Sequence, residues 1–229
     1  METLAKIPLF NGVKEDVLLR HAQRCVWRTY NENELIIDYE DQSKDVRFIV
    51  SGKVRVILRI ATGKEVILAE MKDGEFFGEL AAIDDEGRSA NVTALSKTQI
   101  CAVPQSLFLE MIESEPSVNR MVMRTLAERC RHLNERLAEH CFLQTKHRLY
   151  TELLRQSRPR FGHEGQRAIS PPPTQKDLAA RIGTRREVVS REIANLKRSN
   201  IVEKSTGALI LTDLAKLNGL ISAGWAESG

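Results

Sequence analysis

The chain has 229 residues, 42% hydrophobic and 28% charged, enough apolar material for one large or two modest soluble domains. Its formal net charge of +3 is too small to name a partner by bulk attraction, so charge must be read by position. No run of about 18 apolar residues occurs, and the first residues, METLAKIPLFNG, lack a long apolar h-region. No membrane span, no secretory signal and a cytoplasmic location are therefore expected.

Residues 4–25 open with a turn around Pro8, Leu9, Phe10 and Gly12. Val17, Leu18, His21, Ala22 and Cys25 then recur at helical spacing. From residue 26 the pattern changes to short, β-branched runs at 26–30, 35–39, 46–50, 54–60, 65–71, 89–94 and 98–103. Turn signals at 31–33, 41–43, 51–52, 62–63 and 73–74 separate them. Strands this short and regular predict a sandwich or jelly roll. Val54, Val56 and Leu58 alternate with Arg55, Ile57 and Arg59, which predicts a strand with one wetter face.

Between the fifth and sixth runs lies the chemistry of this half, residues 76–94, FFGELAAIDDEGRSANVTA. Gly78 lets backbone approach a ligand or take a positive φ. Leu80 opens a short helical turn whose free N–H groups suit an anion. Arg88 offers a planar fork that matches a phosphate, and Ser89 adds a hydroxyl. Glu79 is out of place beside a phosphate unless it accepts from something else, and a sugar hydroxyl is such a donor. Phosphate plus ribose hydroxyl points to a nucleotide.

Helix returns at 106–113, is interrupted at Pro116, and runs long from 117 to 144. Met123, Leu126, Cys130, Leu133, Leu137 and His140 alternate at three- and four-residue steps, the seam of a coiled coil. Arg124, Glu128, Arg129, Arg131, Glu135, Arg136 and Glu139 flank it. Such a helix pairs with a second copy of itself. A helix at 145–156 leads into a basic, Pro- and Gly-rich stretch, 157–173, expected to be a loop or small wing without assignable chemistry.

Thr174 with Asp177 reads as a helix cap, Leu178, Ala179 and Ile182 as a buried face, and Gly183 as a tight turn. A second helix, 185–199, buries Val188, Val189, Ile193 and Leu196. Strands around a turn at 205–208 follow, making a winged helix-turn-helix. Arg185, Arg186, Glu187, Ser190 and Arg191 lie on the second helix away from its core. Arginine grips guanine bidentately and glutamate accepts from cytosine N4, so this face reads sequence. Thr174, Gln175, Ser190 and Lys197 suit phosphates, which position without specifying. Residues 214–229, with Trp225, read as a helix-like tail to which no function is assigned.

FGELA…RSANVTA resembles the phosphate-binding cassette of the cyclic AMP receptor protein/FNR family, and RREVVSR resembles that family's recognition helix. The resemblance implies an α+β protein: a cyclic-nucleotide-binding β jelly roll at 1–115, a coiled-coil dimerisation helix at 116–144 and a winged helix-turn-helix at 145–229. It implies that Gly78, Glu79, Leu80, Arg88 and Ser89 hold a cyclic phosphate and ribose. In the family the long helix covers the base through a Thr-Ser pair, replaced here by Leu133 and Asn134. Asn134 can donate and accept; Leu133 cannot. Cyclic AMP is the first expectation for the effector. Cyclic GMP, a cyclic dinucleotide, another ligand or none are the alternatives. Arg186, Glu187 and Arg191 would read a guanine-containing half-site such as TGTGA, two copies about 34 Å apart on a palindrome. The implied partners are double-stranded DNA, a second copy of the chain and RNA polymerase. A nucleotide-binding module acting on a protein partner is a remoter alternative, against which residues 186–191 argue.

No nucleophile–base pair or Walker loop supports an enzyme. Cys25, Cys101, Cys130 and Cys141 form no CxxC pair and lack the clustering of an iron–sulfur branch of the family. Reduced, mostly buried thiols and no metal are expected. His132 and His140 are read as core or surface side chains rather than haem ligands.

Overall fold

A computed structural model describes residues 3–59 and 65–227. The chain forms two compact units, Met1–Cys130 and Arg131–Gly229. The first begins with 3-10 turns at Leu4–Lys6 and Pro8–Phe10, then helix α1 (Glu15–Ala22). Strands β1 (Val26–Tyr30), β2 (Leu35–Ile37), β3 (Val46–Ser51), β4 (Lys53–Arg59), β5 (Glu65–Lys72) and β6 (Phe76–Phe77) follow. Helix α2 (Glu79–Asp84), β7 (Asn91–Ala94), β8 (Thr98–Val103), α3 (Gln105–Ser114) and the start of α4 (Pro116–Phe142) complete it.

The strands form two antiparallel sheets of four, ordered β1-β8-β3-β6 and β2-β7-β4-β5. Two-residue alternation sorts their side chains into two cores. On β3, Val46 and Phe48 join Cys101 and Val103 of β8 beneath the helices, with Phe10, Leu107, Phe108 and Val118. Ile49 and Ile100 point the other way, between the sheets, to meet Tyr30, Ile37, Val54, Phe77 and Val92. The jelly roll expected from the strand pattern is therefore present, with one sheet covered by helix.

Several elements differ from expectation. β2 stops at Ile37, because the backbone N–H of Tyr39 donates instead to Asn91 Oδ1 at 3.0 Å. The alternation along β4 is broken by a register shift against β5 between Val56 and Ile57. β6 is an additional strand, paired with β3 through Arg47–Phe77 and Phe48–Phe76. Pro116 starts α4 rather than interrupting a helix; a missing N–H costs nothing in the first turn. The expected strand end at Ile60 and the turn at 62–63 lie outside the described residues.

In the second unit α4 is followed by α5 (Thr145–Gln156), β9 (Arg158–Pro159), β10 (Arg167–Ile169), α6 (Gln175–Ile182) and α7 (Arg186–Arg198). Strands β11 (Val202–Ser205) and β12 (Ala208–Leu211) and helix α8 (Leu214–Ala226) close it. Leu149, Leu153, Leu178, Val189, Leu196, Leu211 and Leu217 share one core. The stretch read as a loop contributes two strands, giving a sheet ordered β11-β12-β10-β9. Arg167 fixes it by donating to buried Ser157, from Nε to Oγ and from Nη2 to the carbonyl, each at 2.7 Å. The tail becomes α8, which buries Leu217 in this core, and its last residues, 228–229, lie outside the described set.

None of the four cysteines forms a disulfide, but the expectation of mostly buried thiols is corrected: Cys130 and Cys141 are exposed and Cys25 is half-buried. Both exposed thiols lie in the later turns of α4, away from its buried residues Val118 and Val122. Among the described residues no helix is long and apolar enough to cross a membrane.

Candidate functional site

The cassette is anchored from its aromatic end. Phe76 and Phe77 are buried on β6, and the Phe76 ring lies 5.5 Å from Phe48, which lies 5.1 Å from Phe10. Each ring pair adds a fraction of a kcal/mol to about 1.5 kcal/mol beyond its burial. Gly78 then turns the chain into α2 with φ +82°, a left-handed conformation that disfavours any side chain. A Cβ there would lie 2.5 Å from Arg88 Nη1. Gly78 is thus the residue that lets the Arg88 guanidinium lie against the backbone.

Arg88 is 3% exposed. Its Nη1 donates to the Gly78 carbonyl at 3.1 Å. Its Nη2 faces Ser43 Oγ at 2.8 Å, the Asp45 carbonyl at 3.0 Å and Asp45 Oδ1 at 3.1 Å. Its Nε is buried without a hydrogen-bond partner among the described residues. Burial lowers the arginine from its ordinary value, and the Asp45 charge pulls it back up.

The acceptors sit on the segment between β2 and β3, which is itself cross-tied. Ser43 Oγ donates to Asp41 Oδ2 at 2.9 Å, and Arg47 Nε donates to Asp45 Oδ2 at 2.7 Å. Arg47 also donates to the Ile36 carbonyl. Burial alone would raise the Asp45 carboxyl. Arg47's hydrogen bond and the charges of Arg47 and Arg88 outweigh it and hold Asp45 below the ordinary range.

Glu79 is 4% exposed and pairs with Arg129 Nη1 at 2.6 Å. Arg129 Nη2 donates to the Phe76 carbonyl at 2.5 Å, and its guanidinium carbon stands 5.1 Å from the Phe76 ring centre. Helical spacing along α4 had placed Arg129 among the solvated flanks. The signal for it was Glu79: a buried carboxylate has to find a cation. Leu80, 45% exposed, and Ser89 stand at the surface beside these groups.

Gly78, Glu79 and Arg88 are therefore brought together, and Asp45, Ser43 and Arg129 join them. On α4, Met123, Leu133 and Leu137 are well exposed, and Asn134, Cys130 and His140 are exposed too. Leu126 is half-buried and leans on the helix-side core of the first unit.

In the second unit, Thr174 caps α6 by accepting the Asp177 N–H at 3.0 Å. Gly183 ends the helix in a left-handed conformation, φ +65°, with a notional Cβ 3.1 Å from His140 Cε1. Val189, Ile193 and Leu196 bury one side of α7. Arg186, Glu187, Ser190 and Arg191 line an exposed hollow on the other side, with Ala194. Arg185 precedes the helix as its cap residue, and Lys197 lies exposed in the last turn. Thr174 is exposed and Gln175 half-buried at the start of α6. Glu192, though charged, faces inward and accepts from the Tyr150 hydroxyl of α5. Burial, then Glu192, raises the Tyr150 hydroxyl far above its ordinary value.

Residues 27–115 match the cyclic nucleotide-binding domain family, and residues 147–220 match the Crp-like helix-turn-helix domain family. The cyclic AMP receptor protein of Thermus thermophilus is 30% identical over 213 residues, covering 92% of this chain and 94% of that one. The chain belongs to the cyclic AMP receptor protein/FNR family. It is a transcriptional regulator of that type, with a cyclic-nucleotide-binding domain and a DNA-binding helix-turn-helix. A mutant of CooA from Carboxydothermus hydrogenoformans has the same fold, with a TM-score of 0.78 at 19% identity over 96% of both chains. So does the regulator CLP of Xanthomonas campestris, described as c-di-GMP responsive, with a TM-score of 0.73 at 17% identity over 86% of this chain and 99% of that one. At such identities these two likenesses speak for the regulator's fold only.

Proposed function

We propose that this regulator acts as a homodimer that reads a palindromic, guanine-containing DNA site and is switched by a cyclic nucleotide, cyclic AMP first. The observation that carries the nucleotide half is Arg88: a buried guanidinium against Gly78, with an Nε–H that no group among the described residues accepts. A buried donor without an acceptor is costly, and a phosphate oxygen is the acceptor that best suits it. Ser89, exposed next to it, supplies a hydroxyl, and Glu79 takes the ribose hydroxyl. The DNA half rests on the exposed Arg186, Glu187, Ser190 and Arg191, where arginine and glutamate suit guanine and cytosine. Thr174, Gln175, Arg185 and Lys197 position the helix on phosphates. The exposed apolar positions of α4, Met123, Cys130, Leu133 and Leu137, with His140 and the half-buried Leu126, serve the contact with a second copy. The functional division is then a sensor at 1–115, a dimerisation helix at 116–144 and a DNA-binding domain at 145–229, with RNA polymerase as the target of regulation.

A second reading is a regulator that needs another effector or none. Two observations favour it: Arg88 and Glu79 are both paired within the protein, and the family's base-contacting Thr-Ser pair is Leu133 and Asn134 here. Titration calorimetry with cyclic AMP, cyclic GMP and cyclic di-GMP separates the readings. Heat of binding with cyclic AMP that disappears in Arg88→Ala supports the first. No heat with any of the three supports the second.

A further inference from the structure

Arg88 does not wait for its ligand empty-handed. It is held by the carboxylate of Asp45 at 3.1 Å, an acidic residue outside the cassette and the recognition helix. Asp45 is also held by Arg47 at 2.7 Å, so one carboxylate bridges two guanidiniums. Ser43 Oγ and the Gly78 carbonyl also accept from Arg88, and both are neutral. They suffice to orient the guanidinium. The carboxylate adds something different, a negative charge where a phosphate has to come.

We propose that Asp45 is a built-in competitor for the ligand's phosphate: it holds Arg88 in the unliganded protein, and the nucleotide binds by taking Arg88 over while Asp45 stays with Arg47. This rests on the reading of Arg88 as the phosphate ligand. Three features favour exchange over a permanent lock. Asp45 keeps a charged partner after release, so no buried carboxylate is left uncompensated. Its side chain is 22% exposed while that of Arg88 is 2% exposed, so water reaches the carboxylate's end of the pair. The Arg88 Nε–H is without an acceptor among the described residues, so a phosphate that reaches it as the pair opens gains a bond that Asp45 does not supply. Asp45 then sets the threshold: two anions cannot share one guanidinium without repelling, and the nucleotide binds more weakly than the bare cassette allows. Release of Arg88 from Ser43 and Asp45 would also loosen the end of the segment 38–45 next to β3, leaving its ties to the cassette through Tyr39–Asn91 and Lys44–Asp85, so that end is where the sensor first registers the ligand.

The test is calorimetric titration of full-length wild type and Asp45→Asn with cyclic AMP at one salt concentration. Asparagine keeps a carbonyl for Arg88 and loses the charge. Binding at least roughly tenfold tighter in Asp45→Asn is expected, with Asp45→Glu staying near wild type. Measurable wild-type binding with equal or weaker affinity in Asp45→Asn overturns the proposal and leaves the nucleotide reading standing, since Asp45 would then only position Arg88. No binding by either folded protein overturns both. Should Asp45→Asn fail to fold, hydrogen exchange on the wild type decides the matter. Faster exchange in residues 38–45 on saturation with cyclic AMP supports the competitor, and unchanged or slower exchange overturns it.

Discussion

Arg88 and Asp45 face each other where water is scarce, and the consequences can be measured one residue at a time. Removing the guanidinium leaves Asp45 with Arg47, so Arg88→Ala is expected to stay folded, with a lower melting temperature and no measurable response to cyclic nucleotide. Unchanged nucleotide affinity in that variant would remove the phosphate role. Gly78→Ala forces a Cβ into a left-handed residue and against Arg88, a strain of roughly 1–3 kcal/mol. Both a lower melting temperature and weaker nucleotide binding should follow, and an intact melting curve would argue against the close approach. The acid limb has a definite sign. Asp45 is held below its unfolded value, so its contribution is complete above about pH 4 and is lost as pH falls through the lowered pKa. The stability gap between wild type and Asp45→Asn should therefore hold from neutrality to about pH 4 and narrow below it in chemical denaturation. A gap that is constant with pH would mean that the charge of Asp45 contributes nothing.

At the scale of elements, α7 separates its tasks by face. Val189, Ile193 and Leu196 hold it on the core, and Glu192 ties it to α5 through Tyr150. This leaves Arg186, Glu187, Ser190 and Arg191 free of packing duty. Glu187→Ala should relax preference at one base pair, by about 1–3 kcal/mol of discrimination in site-competition assays, while Lys197→Ala should weaken all sites alike and lower the salt slope by about 1. A uniform loss from Glu187→Ala would assign it to positioning instead. Most of these elements could be read from the residues: period-two runs gave the sheets, the Thr174 cap and Gly183 bracketed α6, and the Gly78–Arg88 spacing gave the cassette. What escaped did so for physical reasons. β6 is two residues long, too short for periodicity, and β9 and β10 lie in a stretch whose prolines and glycines signal turns. Helical spacing put Arg129 on the wet side of α4, whereas Glu79 draws it to the cassette. Asp45 lies in the irregular segment just before β3, with no pattern to mark it, and only the fold brings it to Arg88.

For the whole molecule, the proposed switch joins a sensor that holds its own phosphate ligand in check to a reader of palindromic DNA. A ligand moves such an equilibrium only as far as it prefers the DNA-competent arrangement, so the size of the response measures the coupling. If the exposed apolar positions of α4 form the dimer contact as proposed, Leu137→Glu should shift the protein from dimer to monomer in sedimentation velocity and abolish tight binding to a two-half-site operator. A stable dimer in that variant would place the interface elsewhere. The most direct test of the central claim is DNA binding to a palindromic TGTGA-type site, with and without cyclic AMP, at one fixed salt concentration. The account predicts binding at least roughly tenfold tighter with the nucleotide, and loss of that difference in Arg88→Ala. Equal, tight binding in both states would contradict it, leaving a DNA reader whose switch is not cyclic AMP.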